Sequence, residues 1–174
     1  TVASLQNTIK ELLQTKTPYI LIGGGSNIVA ADNGIDAVVI RYVSQTPLIT
    51  RNQNDLIISG STYLDHAAIF SVDEGLDGLT FTSGIPGTVG GAVLGNAGAW
   101  GKQVGDILKS ALIIDADGNI KEVGPDYFGF AYRHSKIKKN KDIIDQVTFT
   151  SKAGDTLTLS LERADILKKR SDKH

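Results

Sequence analysis

The sequence predicts an α+β fold, and three patterns support this prediction. Apolar residues recur at helical spacing over residues 1–15. Short runs of aliphatic residues bounded by glycine or polar residues are typical of strands, as over Tyr19–Ile22. Residues 108–115 and Ile120–Val123 alternate in hydrophobicity on either side of Ala-Asp-Gly-Asn, which is a strong signal for a hairpin. The chain of 174 residues therefore combines helices with strands.

The first 45 residues predict a small lobe built from a helix, a strand, a glycine-rich loop and a second strand. The helix of residues 1–15 ends before Pro18, which is typical of a helix C-terminus. Tyr19–Ile22 is a short apolar strand that leads into three glycines, and residues 36–42 form the next strand. Residues 44–54 are polar, and we expect them to connect this lobe to the rest of the chain.

The remaining residues predict a larger lobe in which strands predominate. Thr62 followed by Asp65 resembles a capping box at a helix start, and Gly75 fits the position just after the helix end. Residues 79–82 lead into a second glycine-rich segment. The predicted strands cover residues 55–60, 108–115, 120–123 and 143–151, and the predicted helices cover residues 62–74 and 161–169.

The composition excludes several classes of function. A net charge of −1 gives no field that would attract nucleic acid or an anionic membrane. No apolar run approaches the ~18–20 residues that span a bilayer. The absence of cysteine excludes disulfides and thiolate catalysis and fits a cytoplasmic location, and the aspartates lack partner histidines at metal-ligand spacing. The chain begins at Thr1 rather than at methionine and ends in a basic stretch, so we expect it to be part of a longer protein.

The first glycine-rich segment is Gly23-Gly24-Gly25-Ser26-Asn27, directly after a predicted strand. Consecutive glycines can turn their N–H groups toward one point, which makes a nest for an anion such as a diphosphate. A tight turn between two strands is the alternative interpretation. The segment lacks the Lys-Ser/Thr of a Walker loop and the third glycine of a Rossmann motif, so neither of those sites is predicted.

The second glycine-rich segment is more unusual, because seven glycines fall within eighteen residues. Ordering so many glycines costs much conformational entropy, so a plain structural loop rarely requires them. We therefore expect the backbone here to approach a large flat or charged ligand, and a glycine-packed helix pair is the alternative. The seven are Gly84, Gly87, Gly90, Gly91, Gly95, Gly98 and Gly101, with Pro86 among them.

Three segments together resemble the UDP-N-acetylenolpyruvoylglucosamine reductase family of peptidoglycan precursor synthesis. Residues 23–27 resemble its first FAD loop, which other members of the vanillyl-alcohol-oxidase-type FAD fold share. Ser-Gly-Ile-Pro-Gly-Thr-Val-Gly-Gly-Ala at residues 83–92 and Asn-Ala-Gly-Ala-Trp-Gly at residues 96–101 are similar to its second loop almost residue for residue. Phe130 to Ser135 matches a third mark, aromatic-x-Tyr-Arg-x-Ser. Order and spacing agree over nearly the whole chain.

The resemblance implies a two-lobed FAD-binding domain of the vanillyl-alcohol-oxidase/PCMH type, without the C-terminal substrate domain. Residues 1–45 would form lobe 1, residues 46–160 lobe 2, and residues 161–174 a helix that leads toward the absent domain. The diphosphate of non-covalently bound FAD would lie on the first loop, and the second loop would surround the rest. The cofactor-binding residues so implied are Gly23, Gly24, Gly25, Ser26, Asn27, Ser83, Gly84, Ile85, Pro86, Gly87, Thr88, Gly90, Gly91, Ala92, Asn96, Ala97 and Gly98.

The reaction implied by the resemblance is the reduction of the enolpyruvyl double bond of a UDP-sugar substrate, with NADPH as co-substrate. Arg133 matches the family's catalytic arginine, whose guanidinium would bind the substrate carboxylate, and Tyr132 and Ser135 would contact the substrate beside it. The family usually has an acidic residue where this chain has His134, and an aromatic one at Ile137. The family's proton-donor serine and catalytic glutamate lie in a third domain, so this chain alone should not complete the reaction.

Further predictions concern the histidines, a run of lysines, the oligomeric state, metal binding and alternative functions. His66 and His134 lie outside the glycine loops, so covalent attachment of flavin is not expected. Four lysines at positions 136, 138, 139 and 141 form a basic run that is a solvated face or helps to steer an anionic nucleotide. We expect a monomer with no metal. An FAD-dependent oxidase of the same fold and a non-catalytic flavin-binding module are the alternative functions.

Overall fold

The computed structural model describes residues 2–172 and confirms the α+β class. The helices are α1 (Val2–Gln14), α2 (Leu64–Asp73), α3 (Val89–Leu94), α4 (Pro125–Phe128), α5 (Ile137–Asn140) and α6 (Thr156–Ser171), with 3₁₀ turns at Thr80–Thr82 and Val104–Asp106. The strands are β1 (Tyr19–Ile22), β2 (Val38–Arg41), β3 (Ile49–Asn52), β4 (Asp55–Ser59), β5 (Leu76–Asp77), β6 (Gly98–Ala99), β7 (Lys102–Gln103), β8 (Leu108–Ile114), β9 (Ile120–Val123), β10 (Ile143–Thr150) and β11 (Lys152–Ala153).

The N-terminal part packs one helix onto a small parallel sheet. Strands β1 and β2 pair in parallel, with Tyr19 opposite Val38, and the exposed loop of residues 23–37 joins them. The apolar face of α1 contributes Leu5 and Ile9 to a buried cluster with Ile114 and Ile143, which lie on β8 and β10. The predicted helix and both strands are therefore confirmed here, and the boundary between lobes at residues 45 and 46 stays a prediction.

The larger part is built on an antiparallel sheet with strand order β3-β4-β10-β8-β9. Alternating residues of β4 and β10 point to one side, where Leu56, Ile58, Val147 and Phe149 are fully buried. Helices α2 and α3 cover this face, because their buried residues belong to the same apolar cluster. The sheet thus supplies the rigid base that carries the second glycine-rich segment.

Strand β3 lies within residues 44–54, for which we predicted only a polar connection, and that prediction was wrong. Asn52 pairs with Asp55, so β3 and β4 form a hairpin with a two-residue turn at Gln53 and Asn54. Gln53 has a φ of +55°, a conformation that two-residue hairpin turns require. Three of the four residues of β3 are exposed at this edge of the sheet, and so its sequence lacks a hydrophobic signature.

The capping box predicted at Thr62 and Asp65 is also wrong. Helix α2 begins after Tyr63, which provides no side-chain cap, and the Thr62 hydroxyl instead accepts a hydrogen bond from the backbone N–H of Leu48 at 3.1 Å. At the other end of the helix, Gly75 follows the C-cap residue with a φ of +63°, as predicted. The Asp65 carboxylate is free for a different role, because it does not bond within its own helix turn.

Helix α6 is longer than the predicted 161–169, because Asp155 caps it by accepting a hydrogen bond from Thr158 N–H at 2.8 Å. The helix packs beside α2 through a bidentate ion pair in which Arg163 donates to both oxygens of Asp65, at 2.8 and 2.9 Å. The same carboxylate accepts from the backbone N–H of Gly84 at 2.8 Å. One carboxylate therefore joins two helices to the start of the second glycine-rich segment.

Replacing Arg163 with alanine is expected to lower the free energy of unfolding by roughly 1–2 kcal/mol, between the values for exposed and buried ion pairs. Burial alone would raise the pKa of Asp65, but the bonds from Arg163 and Gly84 outweigh it, and the pKa is lowered. The stabilising contribution is therefore present above the ordinary aspartate pKa and is lost as the pH falls. Urea unfolding at pH 7 and pH 3 checks this. The control is Asp165→Ala, which breaks an exposed ion pair on the same helix and should change the free energy of unfolding little. Equal losses of stability in the two variants would show that the Arg163–Asp65 pair contributes no more than an exposed one.

Candidate functional site

A cleft of about 900 Å³ lies between the N-terminal part and the larger sheet. Its volume falls within the range of ligand sites, about 300–1,000 Å³. Both glycine-rich segments reach it, since Gly23 lies on one wall and Thr88, Gly90 and Gly91 lie on the other, with Gly60 between them. The fold therefore brings together two segments that are separated by 55 residues in the sequence.

The two segments touch directly at Gly23 and Thr88. A Cβ added to Gly23 would overlap the Thr88 hydroxyl and lie 3.3 Å from its Cγ2. A second contact lies nearby, where a Cβ on Gly87 would lie 2.9 Å from the Ser26 Oγ. Glycine is thus required at position 23 by the close approach of the two walls, and this approach sets the geometry of the cleft.

The first segment presents unused hydrogen-bond donors. Within the described part of the chain, none of the backbone N–H groups of residues 23–27 donates a hydrogen bond. Gly25 has a φ of +76° and open space around it, so no side chain obstructs the approach of a ligand. A run of free N–H groups that includes a residue of positive φ matches an anion nest. This segment therefore has donors suited to the diphosphate of a dinucleotide, although only Gly23 of its five residues belongs to the cleft lining.

Most backbone N–H groups of the second segment donate hydrogen bonds to other atoms of the protein. The N–H groups of Gly84, Gly90 and Gly91 bond respectively to Asp65, to the Gly60 carbonyl and to the Thr88 hydroxyl. Those of Ile85, Ala92, Asn96 and Ala97 bond to nearby carbonyls. Gly90 and Gly98 pack closely against the backbone of Gly60 and Lys102, whereas a Cβ at Gly101 would meet nothing within 4 Å. Helix α3 packs on the sheet, so the segment is not the glycine-packed helix pair of the alternative interpretation, and the approach to a ligand stays a prediction. Only Thr88, Gly90 and Gly91 of the predicted contacts in this segment line the cleft.

The other predicted residues of the second segment lie away from the cleft lining. Gly84 sits beneath α6, where a Cβ would lie 3.0 Å from atoms of both Leu167 and Arg170. Ser83 is fully buried, and its hydroxyl has no hydrogen-bond partner in the structure. The Asn96 side chain donates to the Ala131 carbonyl at 3.0 Å and accepts from Gly105 N–H at 3.0 Å, so it holds loops together. The residues outside the lining are Ser83, Gly84, Ile85, Pro86, Gly87, Ala92, Asn96, Ala97 and Gly98.

The base of the cleft rests on a backbone-to-backbone contact between Gly60 and Gly90. Gly90 N–H donates to the Gly60 carbonyl at 2.9 Å, and a Cβ on Gly90 would lie 3.1 Å from that oxygen. Gly60 in turn donates to the Asp145 carbonyl at 2.7 Å, where the register of β10 shifts in a bulge. The bulge and the two glycines together let α3 approach the sheet closely enough for Gly91 to face the cleft.

A buried polar network lies beside this bulge and was missed in the sequence. Asp145 is fully buried, and its Oδ1 accepts a hydrogen bond from the Tyr42 hydroxyl at 2.8 Å. Tyr42 lines the cleft and follows β2, so this bond joins the N-terminal part to the larger sheet. Burial raises the pKa of Asp145, and burial is also the main cause that raises the pKa of Tyr42 to about 12. The pair therefore favours its neutral, hydrogen-bonded form.

Asp145→Asn is expected to stabilise the protein at neutral pH and to leave its stability unchanged near pH 4. Because the folded-state pKa of Asp145 is raised, its contribution to stability is full below the ordinary aspartate pKa and is lost as the pH rises through the folded value. The asparagine amide avoids the buried charge and keeps an acceptor for Tyr42. Thermal unfolding at pH 4 and pH 8 measures the effect, with the exposed Asp36→Asn as control. If the unfolding temperatures of Asp145→Asn and the parent protein differed by the same amount at both pH values, this explanation would be ruled out.

Tyr132 and Arg133 lie at the tip of a tight turn. Ala131 and His134 exchange backbone hydrogen bonds of 3.0 and 3.1 Å on either side of it, and Arg133 has a φ of +53°. Both side chains are exposed, and the Arg133 guanidinium lies 5.9 Å from the centre of the Tyr132 ring. Neither belongs to the cleft lining, although Lys138, which does, donates to the Arg133 carbonyl at 2.8 Å. The turn therefore exposes the Arg133 side chain to solvent, and the hydrogen bond from Lys138 connects its backbone to the cleft lining.

The substrate contact predicted for Ser135 stays a prediction, and the structure places this residue beneath the turn. Ser135 is fully buried, and its hydroxyl donates to the Leu94 carbonyl at 2.6 Å, at the end of α3. The serine therefore anchors the Arg133 turn to the helix that carries Gly90 and Gly91. His66 lies on α2 outside the cleft, with its ring edge-on to Tyr63 at 5.8 Å.

Residues 2–172 contain no group of three or more histidine, aspartate or glutamate side chains placed to hold a metal ion. Over the same range, no helix has both the length and the apolar character needed to cross a bilayer.

A cleft between two parts of the fold, with Gly23 on one wall and Thr88, Gly90 and Gly91 on the other, is typical of a protein that binds a dinucleotide. Comparison with known families agrees, because residues 1–124 match the model described as an FAD binding domain. The chain therefore belongs to the family of FAD-binding domains, with FAD as its cofactor. The cofactor-binding residues assigned individually stay predictions.

Two curated relatives and one solved structure illustrate what the chain is similar to. The UDP-N-acetylenolpyruvoylglucosamine reductase of Lactobacillus delbrueckii subsp. bulgaricus is 35% identical over 91% of this chain and 53% of its own length. The reductase of the same name from Listeria monocytogenes is 32% identical over 99% of this chain and 55% of its own length. The crystal structure of the reductase from Thermus caldophilus superposes with a TM-score of 0.82 at 27% identity, over 98% of this chain and 60% of that one. The chain thus spans about half the length of the curated relatives it matches.

Proposed function

We propose that this chain is the FAD-binding part of a UDP-N-acetylenolpyruvoylglucosamine reductase, also called UDP-N-acetylmuramate dehydrogenase, acting in the cytoplasm. The whole protein would use NADPH to reduce the enolpyruvyl group of a UDP-sugar in peptidoglycan precursor synthesis. The observation that carries the proposal is the contact between Gly23 and Thr88, which joins two family-like glycine segments at one cleft. The relatives of the same name support it.

The roles of the residues follow from their placement. The free N–H groups of residues 23–27 would hold the diphosphate of FAD, and Thr88, Gly90 and Gly91 would form the wall against its ring system. When bound, FAD supplies the hydride-carrying ring that couples NADPH to the substrate double bond. The other predicted residues of the second segment would act by fixing this wall through packing.

Arg133 would bind the substrate carboxylate and stabilise the negative charge that builds up on it in the reaction. Its guanidinium is exposed, so it is available to an incoming anion. Asn96, Ser135 and Lys138 hold the turn on three sides, through bonds to Ala131, Leu94 and Arg133. Because these partners fix the backbone, the arginine would need to order only its side chain when substrate binds.

The proposal is tested on the full-length protein. The visible spectrum of the purified protein should show flavin bands, and denaturation should release the flavin. NADPH should then be oxidised only when the UDP-sugar enolpyruvate is present. Flavin bands without turnover of that pair would favour an oxidase of the same fold, whereas absence of flavin binding under saturating FAD would rule out both enzymes.

A further inference from the structure

The structure divides the basic run of residues 136–141 into two pairs. Lys138 and Lys141 line the cleft, whereas Lys136 packs against Gly129 and Lys139 is exposed outside the lining. A third lysine of the lining, Lys16, comes from the turn that follows α1. Three lysines from two distant segments thus face one cavity, which the sequence spacing could not reveal.

Two of these ammonium groups are unengaged. Among the described residues, the ammonium groups of Lys16 and Lys141 have no partner in a hydrogen bond or an ion pair. Lys138 donates to the Arg133 carbonyl at 2.8 Å, which leaves its positive charge uncompensated. The one carboxylate in the described lining is Asp142, and it accepts a hydrogen bond from the Tyr127 hydroxyl at 2.8 Å. The cleft is therefore positive in a chain whose net charge is −1.

The rest of the lining is largely apolar. A cleft with apolar walls and several cations fits a ligand that joins a ring system to a compact multiple anion. Lysine binds phosphate as a point charge, and several lysines around one cavity raise the local concentration of anionic ligands. The apolar lining residues are Leu12, Leu13, Tyr19, Ile20, Leu21, Leu94, Ile137, Ile143 and Ile144.

We infer that Lys16, Lys138 and Lys141 form a binding site for the diphosphate of a nucleotide. The inference rests on the proposed function, which assigns the diphosphate of FAD to residues 23–27 and leaves the UDP-sugar and NADPH as the expected ligands of the lysines. The site differs from the backbone nest of residues 23–27 in chemistry, because it uses side-chain cations, and in position, because only Gly23 of the nest lines the cleft. The protein would then hold two anion sites of different chemistry.

The first test uses inorganic pyrophosphate as the probe and the full-length protein without added flavin. Lys16→Gln/Lys141→Gln removes both charges, replaces each lysine with a neutral polar side chain one bond shorter, and leaves the Lys138 bond to the Arg133 turn in place. We expect pyrophosphate binding, measured by calorimetry, to weaken about tenfold in this double variant, because two partly exposed ion contacts are lost. High salt should reduce the difference. The matched control is Lys139→Gln, from the same basic run but outside the cleft, and it should bind as the parent protein does.

Titrations with FAD, UDP-N-acetylglucosamine and NADPH then identify the source of the diphosphate, which is the ligand whose affinity falls with the double variant. Equal binding of pyrophosphate by the parent and the double variant, or an equal loss in Lys139→Gln, would overturn the site. If FAD binds normally but no ligand responds to the lysines, the site is wrong and the proposed function stands. If FAD never binds but pyrophosphate depends on Lys16 and Lys141, the site stands and the proposed function fails.

Discussion

Gly23→Ala is expected to weaken FAD binding roughly ten- to a hundredfold, the equivalent of about 1–3 kcal/mol of overpacking. The added methyl group overlaps the Thr88 hydroxyl, so the two walls of the cleft must separate. The nest of residues 23–27 then shifts relative to Gly90 and Gly91, and one dinucleotide no longer contacts both. Titration of the flavin-free full-length protein, followed by flavin fluorescence, gives the dissociation constant.

A second substitution should restore binding if the contact itself is the cause. Thr88→Ala removes the Oγ1 and Cγ2 atoms, which leaves an ordinary separation of 3.4 Å between the two Cβ positions. The double variant Gly23→Ala/Thr88→Ala is therefore expected to recover most of the lost affinity. Gly124→Ala is the matched control, because a Cβ there has open space and no positive φ. Unchanged FAD affinity in Gly23→Ala would show that the contact does not set the cleft geometry.

Arg133→Ala is expected to lower kcat about 10²–10³-fold, the usual cost of removing one group that stabilises developing negative charge. FAD binding should remain, because the guanidinium lies outside the cleft lining. Steady-state kinetics with NADPH and the UDP-sugar enolpyruvate, together with the flavin spectrum, separate the two effects. Arg133→Lys should recover only part of the activity, since an ammonium cannot bind a carboxylate through two parallel hydrogen bonds.

The positive φ of Arg133 provides a control for misfolding. Arginine in this conformation is strained, and glycine is not. Arg133→Gly should therefore lose as much activity as Arg133→Ala while unfolding at the same or a higher temperature than the parent. Full activity in either variant would remove Arg133 from the proposed catalytic role.

The sequence predicted elements with strong local patterns and missed those fixed by distant contacts. Helix α1 and strand β1 were predicted within one residue because hydrophobic periodicity and Pro18 mark them. Strand β3 was missed because it lies at an exposed edge and carries polar residues, and the capping box failed because Asp65 pairs with Arg163, nearly a hundred positions away. Long-range pairing of this kind leaves no pattern in a single sequence.

The candidate site shows the same division. The glycine segments were identified from their composition, and their convergence on one cleft follows from the fold. The sequence did not indicate that most N–H groups of the second segment bond within the protein, because spacing does not report hydrogen-bond partners. It also did not distinguish Lys138 and Lys141 from Lys136 and Lys139. The buried pair of Tyr42 and Asp145 gave one signal only, a lone aspartate in the middle of an apolar strand.

The buried cluster beneath α1 joins the N-terminal part of the chain to the larger sheet. Two of its four buried members, Ile114 and Ile143, belong to strands of the larger sheet. A peptide of residues 1–45 would lack these two side chains and would expose Leu5 and Ile9 to water. The N-terminal part is therefore not an autonomous module, because its apolar cluster is completed by the paired strands β8 and β10. Swapping it between homologues would require the matching residues of both strands to be exchanged with it.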